Sequence, residues 1–216
     1  DTTKDNIGLF GYTSGARIQN LGISNISIKA RNNVGGLVAI TNNTTIDSCF
    51  VYGFISGVRN VGGLVGFDTV ASTINRSFTN TTIDAQTNVG GLVGNHNGGT
   101  INNSYSNSEI YSSTTPNSYV GGIIGRAASS NLTNVYSACK IIRNGTTNTN
   151  FGKIKGNSSG TNTNCYSRDS VFVNYTNSNT TGYNGTQKTN AQLRSSGFVT
   201  LLNNAIWQLD YNDSIN

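Results

Sequence analysis

Charge is the scarcest resource in this sequence. Lys, Arg, Asp and Glu make up 11% of 216 residues, far below the usual quarter. There is one proline (Pro116), one histidine (His96), one tryptophan (Trp207) and no methionine. Each scarcity excludes something. Three cysteines (Cys49, Cys139, Cys165), no CxxC spacing and a lone histidine give none of the zinc-ligand patterns. The fourteen Lys and Arg residues leave a net charge of +5, yet no two are adjacent, so the clustered basic face of a nucleic-acid partner is missing. No stretch reaches the roughly 20 apolar residues of a membrane helix, so no membrane insertion is expected. Few helix formers and one proline argue against a helical bundle. Apolar residues are nevertheless 35% of the chain and regularly placed, unlike those of a disordered polymer.

What is abundant is repetition. The phrase NVGGLV occurs at 33–38, 60–65 and 88–93. Aligning on its glycines gives six units, beginning at Ile7, Val34, Val61, Val89, Val120 and Phe151, at spacings of 27, 27, 28, 31 and 31 residues. Each opens with a variant of V-G-G-L-V-G. About eleven residues later comes a second phrase (IQNLGI, IDSCFV, INRSFT, INNSYS, LTNVYS), and then a third, weaker one. Such periods signal solenoids, propellers or arrays. A propeller blade needs four strands in about 40 residues; these units hold three short strands and three turns. The reading is all-β: a right-handed parallel β-helix of about six rungs over 1–173, with 174–216 as linker and small C-terminal helical cap. Thr189 or Asn190 is suited to cap that helix, ahead of Leu193, Phe198, Leu201 and Leu202.

With rungs about 4.8 Å apart, like residues stack on like. One expected column is Leu9, Leu37, Leu64, Leu92 and Ile123; another is Ile18, Ile46, Ile74, Ile101 and Leu132. The glycine pairs suit sharp turns or close backbone approach. The Asn residues before them (Asn6, Asn33, Asn60, Asn88, Asn150, with Tyr119 the exception) suit left-handed turns and axial hydrogen-bond ladders. The sixth unit departs most: Lys153 and Lys155 stand at aliphatic positions and Asn162 in the Ile column.

The VGGLVG element with T-I-x-x-S/C-F/Y after it resembles the GLUG-motif repeat of bacterial surface and adhesin-like proteins. The same repeat occurs in the non-catalytic region of immunoglobulin A-cleaving metallopeptidases. The resemblance covers residues 7–167, and the tail QLRSSGFVTLLN…W is similar to the segment on the C-terminal side of such repeats. The resemblance implies a structural motif that carries no catalytic residues.

No catalytic, metal or cofactor-binding residue is nominated, and no cofactor is expected. Glycoside hydrolysis needs a carboxylate pair. Asp47 aligns with Asn75 and Asn102, and Asp84 has no acid above or below, so the acids read as solvated single charges. His96 reads as a turn residue without triad partners. GGLVGFD differs from the calcium nonapeptide in spacing and period, and the five-fold repetition of VGGLVG is unlike a single dinucleotide loop. The cysteines read as small buried hydrophobes. One column is aromatic: Phe50, Phe78, Tyr105, Tyr136 and Tyr166, with Gly22 in the first unit. Turned outward, Tyr105, Tyr136 and Tyr166 are the candidates for ligand binding; turned inward, the column is core. The favoured function is a non-catalytic adhesin-like module or stiff stalk, extracellular or at the cell surface, within a larger polypeptide, with a host-surface or glycan ligand contacted through the longer turns at 112–119 and 143–150. The alternatives are a non-catalytic arm of a surface metallopeptidase and a carbohydrate-active β-helix enzyme.

Overall fold

Ile18, Ile46, Ile74, Ile101 and Leu132 lie in one parallel ladder, each paired to the next. That register is the fold in miniature. The computed structural model describes residues 2–113, 118–144, 150–157, 159–169, 172–173, 182–195 and 198. They wind into a parallel β-solenoid of about five turns. One wall consists of Phe10–Ser14, Val38–Asn42, Val65–Val70, Val93–Asn97 and Ile124–Ala128, in that order. A second runs along the Ile column from Arg17–Gln19 through Asn162–Arg168. The third is dominated by Phe50–Gly62 and Phe78–Gly90, paired along their length. The stack extends into the expected linker, where Thr186–Lys188 pairs with Asn162–Arg168. The helix Asn190–Leu193 is capped by Thr189, whose hydroxyl accepts from the Gln192 amide while the Gln192 side chain accepts from the Thr189 amide. Leu201, Leu202 and Trp207 lie outside the described residues.

Two apolar clusters run up the interior. One holds Leu37, Leu64, Leu92, Ile123 and Ile154 with the Ile column. The other holds Val34, Val61, Val89, Val120 and Phe151 with Ile55, Ile83 and Ile110. Because each turn is sealed only by its neighbours, truncation in the middle is costly. Ile74→Ala should lower unfolding free energy by about 2–5 kcal/mol, measured as a shift in the urea midpoint.

The GG pairs act through proximity, not through unusual φ. A Cβ on Gly62 would lie 2.2 Å from the Val65 carbonyl oxygen and 2.7 Å from the Gly94 nitrogen of the next turn. The walls cross here at backbone distance.

Left-handed turns fall to asparagine. Among the described residues, ten of the fourteen non-glycine residues at positive φ are Asn, which accounts for much of the Asn richness. Asn6, Asn33, Asn60 and Asn88 form the expected ladder: each side-chain amide donates to the Oδ1 below, at 2.8, 2.7 and 2.8 Å. It ends where Tyr119 interrupts the series, and the Asn88 Oδ1 has no partner among the described residues. Asn60→Ala removes two of these bonds and strains φ, so it should cost about 2–4 kcal/mol; Asn60→Gly, which keeps the turn, should cost less. Chemical denaturation of both variants checks this.

Three expectations about individual residues need correction. Leu9 is 57% exposed, not part of the Leu column. The first unit reaches Phe10 in three residues from Ile7 where the second needs four from Val34 to Val38, yet both ends pair, so the column slips. Lys153 replaces a glycine rather than an aliphatic residue, its backbone facing Gly122. Lys155 does continue the Val93 and Ile124 positions, but Ile154 between the two lysines extends the Leu column. Finally, the acids are not all solvated. Asp47 is buried and held by Arg76, Gln19 and Asn75, and Asp68 is wholly buried.

Candidate ligand-binding face and a sealed polar cluster

The most reactive-looking residue types meet inside the solenoid. His96 lies within the strand Val93–Asn97, not in a turn, because its outward neighbours take the turn at Gly98 and Gly99. Stacking brings it to Asp68, its register partner in the turn below, and to Ser130, 34 residues away. His96 Nδ1 is 2.8 Å from Ser130 Oγ, and His96 Nε2 is 3.7 Å from Asp68 Oδ2. The residue types are those of a nucleophile, base and acid, but all three side chains are sealed from solvent. Ser130 Oγ also reaches the His96 carbonyl at 2.9 Å, and Asp68 accepts from Thr41 and Ser72 at 2.9 and 2.6 Å. A substrate has no approach. Burial pushes the imidazole down to about 4; the nearby Lys155 charge adds to this and Asp68 opposes it. Burial likewise brings the Lys155 amine down to about 8, and it donates to the Ser130 and Ser159 carbonyls at 2.7 and 2.8 Å. The cluster is a polar plug. Sequence reasoning missed it because Ser130, in a further unit, sits at another position of the repeat from Asp68 and His96, which share one register position.

All three cysteines are buried free thiols, and burial raises each of them. Among the described residues no group of three His, Cys, Asp or Glu is placed to hold a metal ion.

The aromatic column lies on the outer side. Around it the strands alternate, with Val135 and Ser137 buried and Tyr136 between them turned away from the core. Phe50 and Phe78 stack at 5.3 Å and 15°, Phe78 and Tyr105 at 4.9 Å and 2°. These rings spend their faces on one another, and Phe50 lies over Gly22, where any Cβ would strike the ring at 2.1 Å. Higher up, Phe198 meets Tyr136 and Tyr166 edge-to-face at 5.6 and 5.3 Å, with Leu193 alongside. Of the three candidate tyrosines, two are therefore covered by the C-terminal segment. The long turns at 112–119 and 143–150 lie largely outside the described residues.

Beside the column is a feature the sequence did not announce. Tyr52 stands at right angles to the stack, 5.5 Å from Phe50 and 5.8 Å from Phe78. It is nearly equidistant from both, and it borders an open depression of about 580 Å³, lined also by Gly53, Phe54, Asn80, Thr81, Thr82 and Glu109. Tyr52 pairs with Asn80, and Phe54 with Thr82 and then Glu109. The walls are thus two outward columns, two residues apart, running along the solenoid axis. Gly53 has φ 141° opposite a register shift between Ile23 and Ile26, and an added Cβ there would meet the Ile26 carbonyl oxygen at 2.2 Å. Glu109 is paired with Lys140 at 3.1 Å and accepts from the Tyr111 hydroxyl at 3.1 Å, both of which hold its carboxyl below the ordinary range.

The fold defines the class: a parallel β-solenoid of short repeats. Among solved structures it is similar to a chain titled "putative immunoglobulin A1 protease" from Bacteroides ovatus, with a TM-score of 0.70 at 20% identity, over 91% of this chain and 67% of that one. No protein-family profile and no curated protein matches the sequence.

Proposed function

We propose that this chain is a non-catalytic, rigid module of a bacterial surface or secreted protein, built from GLUG-type repeats. The observation that carries this reading is the unbroken register of buried columns through successive turns. Such an interior makes a stiff coil that is packed through the described residues. The group formed by Asp68, His96 and Ser130 is sealed. The structural likeness to the Bacteroides ovatus chain supports a surface or secreted β-helix module; on our reading it is an arm or stalk that sets distance and presents a lateral face to host or glycan ligands outside the cell.

The test is direct. The purified chain, incubated with immunoglobulin A and with a panel of neutral and acidic polysaccharides, should cleave none of them. Cleavage abolished by substituting a residue of this chain would overturn the reading.

A further inference from the structure

We propose that the depression beside Tyr52 binds a neutral, extended oligosaccharide laid parallel to the solenoid axis. This rests on the module reading above and names the ligand class and the site. Four observations converge. First, Tyr52 is 37% exposed and is held in T-shaped contact with Phe50 and Phe78. A ring held in this way at the border of a groove is a platform for the C–H face of a sugar, and little side-chain entropy is lost on binding. Second, the Asn80 amide is exposed and makes no side-chain hydrogen bond among the described residues. It offers a donor pair and an acceptor one turn above Tyr52, at the height of a neighbouring sugar hydroxyl.

Third, Glu109 sits at the upper end with its charge balanced by Lys140 and one oxygen engaged by Tyr111. Its carboxylate keeps lone pairs for sugar hydroxyls, and a uronate carboxylate placed beside it would meet like charge, which favours a neutral sugar at that end. Fourth, one wall, Tyr52 and Asn80, covers two turns along the axis and the other, Phe54, Thr82 and Glu109, covers three, a span of about 10 Å. An extended β-linked glycan advances by nearly one rung spacing per residue, so successive sugars lie beside successive turns.

The experiment is a calorimetric and saturation-transfer NMR titration of the whole chain with β-linked glucan, mannan and N-acetylglucosamine hexamers, with the corresponding monosaccharides and with polygalacturonate. At least one neutral hexamer should bind, its monosaccharide and polygalacturonate far more weakly. Tyr52→Ala should weaken that hexamer about tenfold or more, and Glu109→Gln about tenfold. Tyr12→Ala, an exposed tyrosine of the first turn, should change nothing. Circular dichroism verifies that each variant is folded; Tyr52→Phe, which keeps the ring, should retain most of the binding if Tyr52→Ala is unstable. Failure of every neutral hexamer, equal binding of polygalacturonate, or unaltered affinity in folded Tyr52→Ala and Glu109→Gln overturns the proposal while leaving the spacer reading intact. Hydrolysis of a bound hexamer would instead overturn the spacer reading.

Discussion

Gly90→Ala should prevent this chain from folding, or cost more than about 4 kcal/mol if it folds at all. The added Cβ would lie 2.0 Å from the Val93 carbonyl oxygen, 2.6 Å from the Gly125 nitrogen and 2.8 Å from the Ile123 carbonyl oxygen. All three are backbone atoms. The Ile123 carbonyl accepts from Leu92 and Val93, so relief would require breaking the ladder between two turns. Since each turn is sealed by its neighbours, a break in the middle spreads. The matched control is Gly15→Asn. Gly15 has φ 58° and nothing within 4 Å of a built Cβ, a conformation Asn tolerates; its effect should stay within about 0.5 kcal/mol. Soluble yield and urea unfolding by circular dichroism distinguish the two. A Gly90→Ala protein with a native midpoint would show that the walls do not approach as described.

Acid should weaken the fold well before its carboxylates titrate. Above pH 6.5, His96 is neutral in both folded and unfolded chains and contributes no slope. Between pH 6.5 and about 4 the unfolded chain takes up a proton that the buried imidazole refuses, so stability falls as pH falls. Below about 4 both states are protonated and the loss is complete, at about 3 kcal/mol. Asp68 and Lys155 are the charged groups identified beside the ring, and they act in opposite directions. The carboxylates of Asp5, Asp47 and Glu109, all held below their ordinary values, lose their contribution only at lower pH. The comparison with His96→Gln across the window from pH 6.5 to 4.5 separates the share of the histidine. Urea midpoints across it should fall steeply in the wild type and much less in His96→Gln, even though the variant starts lower. Parallel slopes would show that His96 takes its proton in the folded state as readily as in the unfolded chain.

The repeats made the solenoid legible. The Ile column was readable because a parallel stack puts chain-equivalent residues one rung apart, and a fixed period is visible in a linear text. The Asn ladder at Asn6, Asn33, Asn60 and Asn88 was readable for the same reason. A second ladder, through Asn103, Asn134 and Asn164 down to Asn75, was overlooked because Asn75 bonds Asn103 rather than its register partner Asn102. The aromatic column was found, but not its direction. Alternation along a strand assigns sides only relative to a known neighbour, and a corner between phrases resets the count.

What the sequence determined by itself was the winding: period, column membership and the residues of the turns, because these depend on local chemistry repeated at a constant interval. The tertiary structure alone decided which atoms face one another across the interior and along the outside. It enclosed His96 with Asp68 and Ser130, laid Phe198 over Tyr136 and Tyr166, and left Tyr52 beside an open groove. Apart from the register pair Asp68 and His96, those contacts join residues at different phases of the repeat, and their distances depend on how the coil's walls pack, which no one-dimensional period encodes.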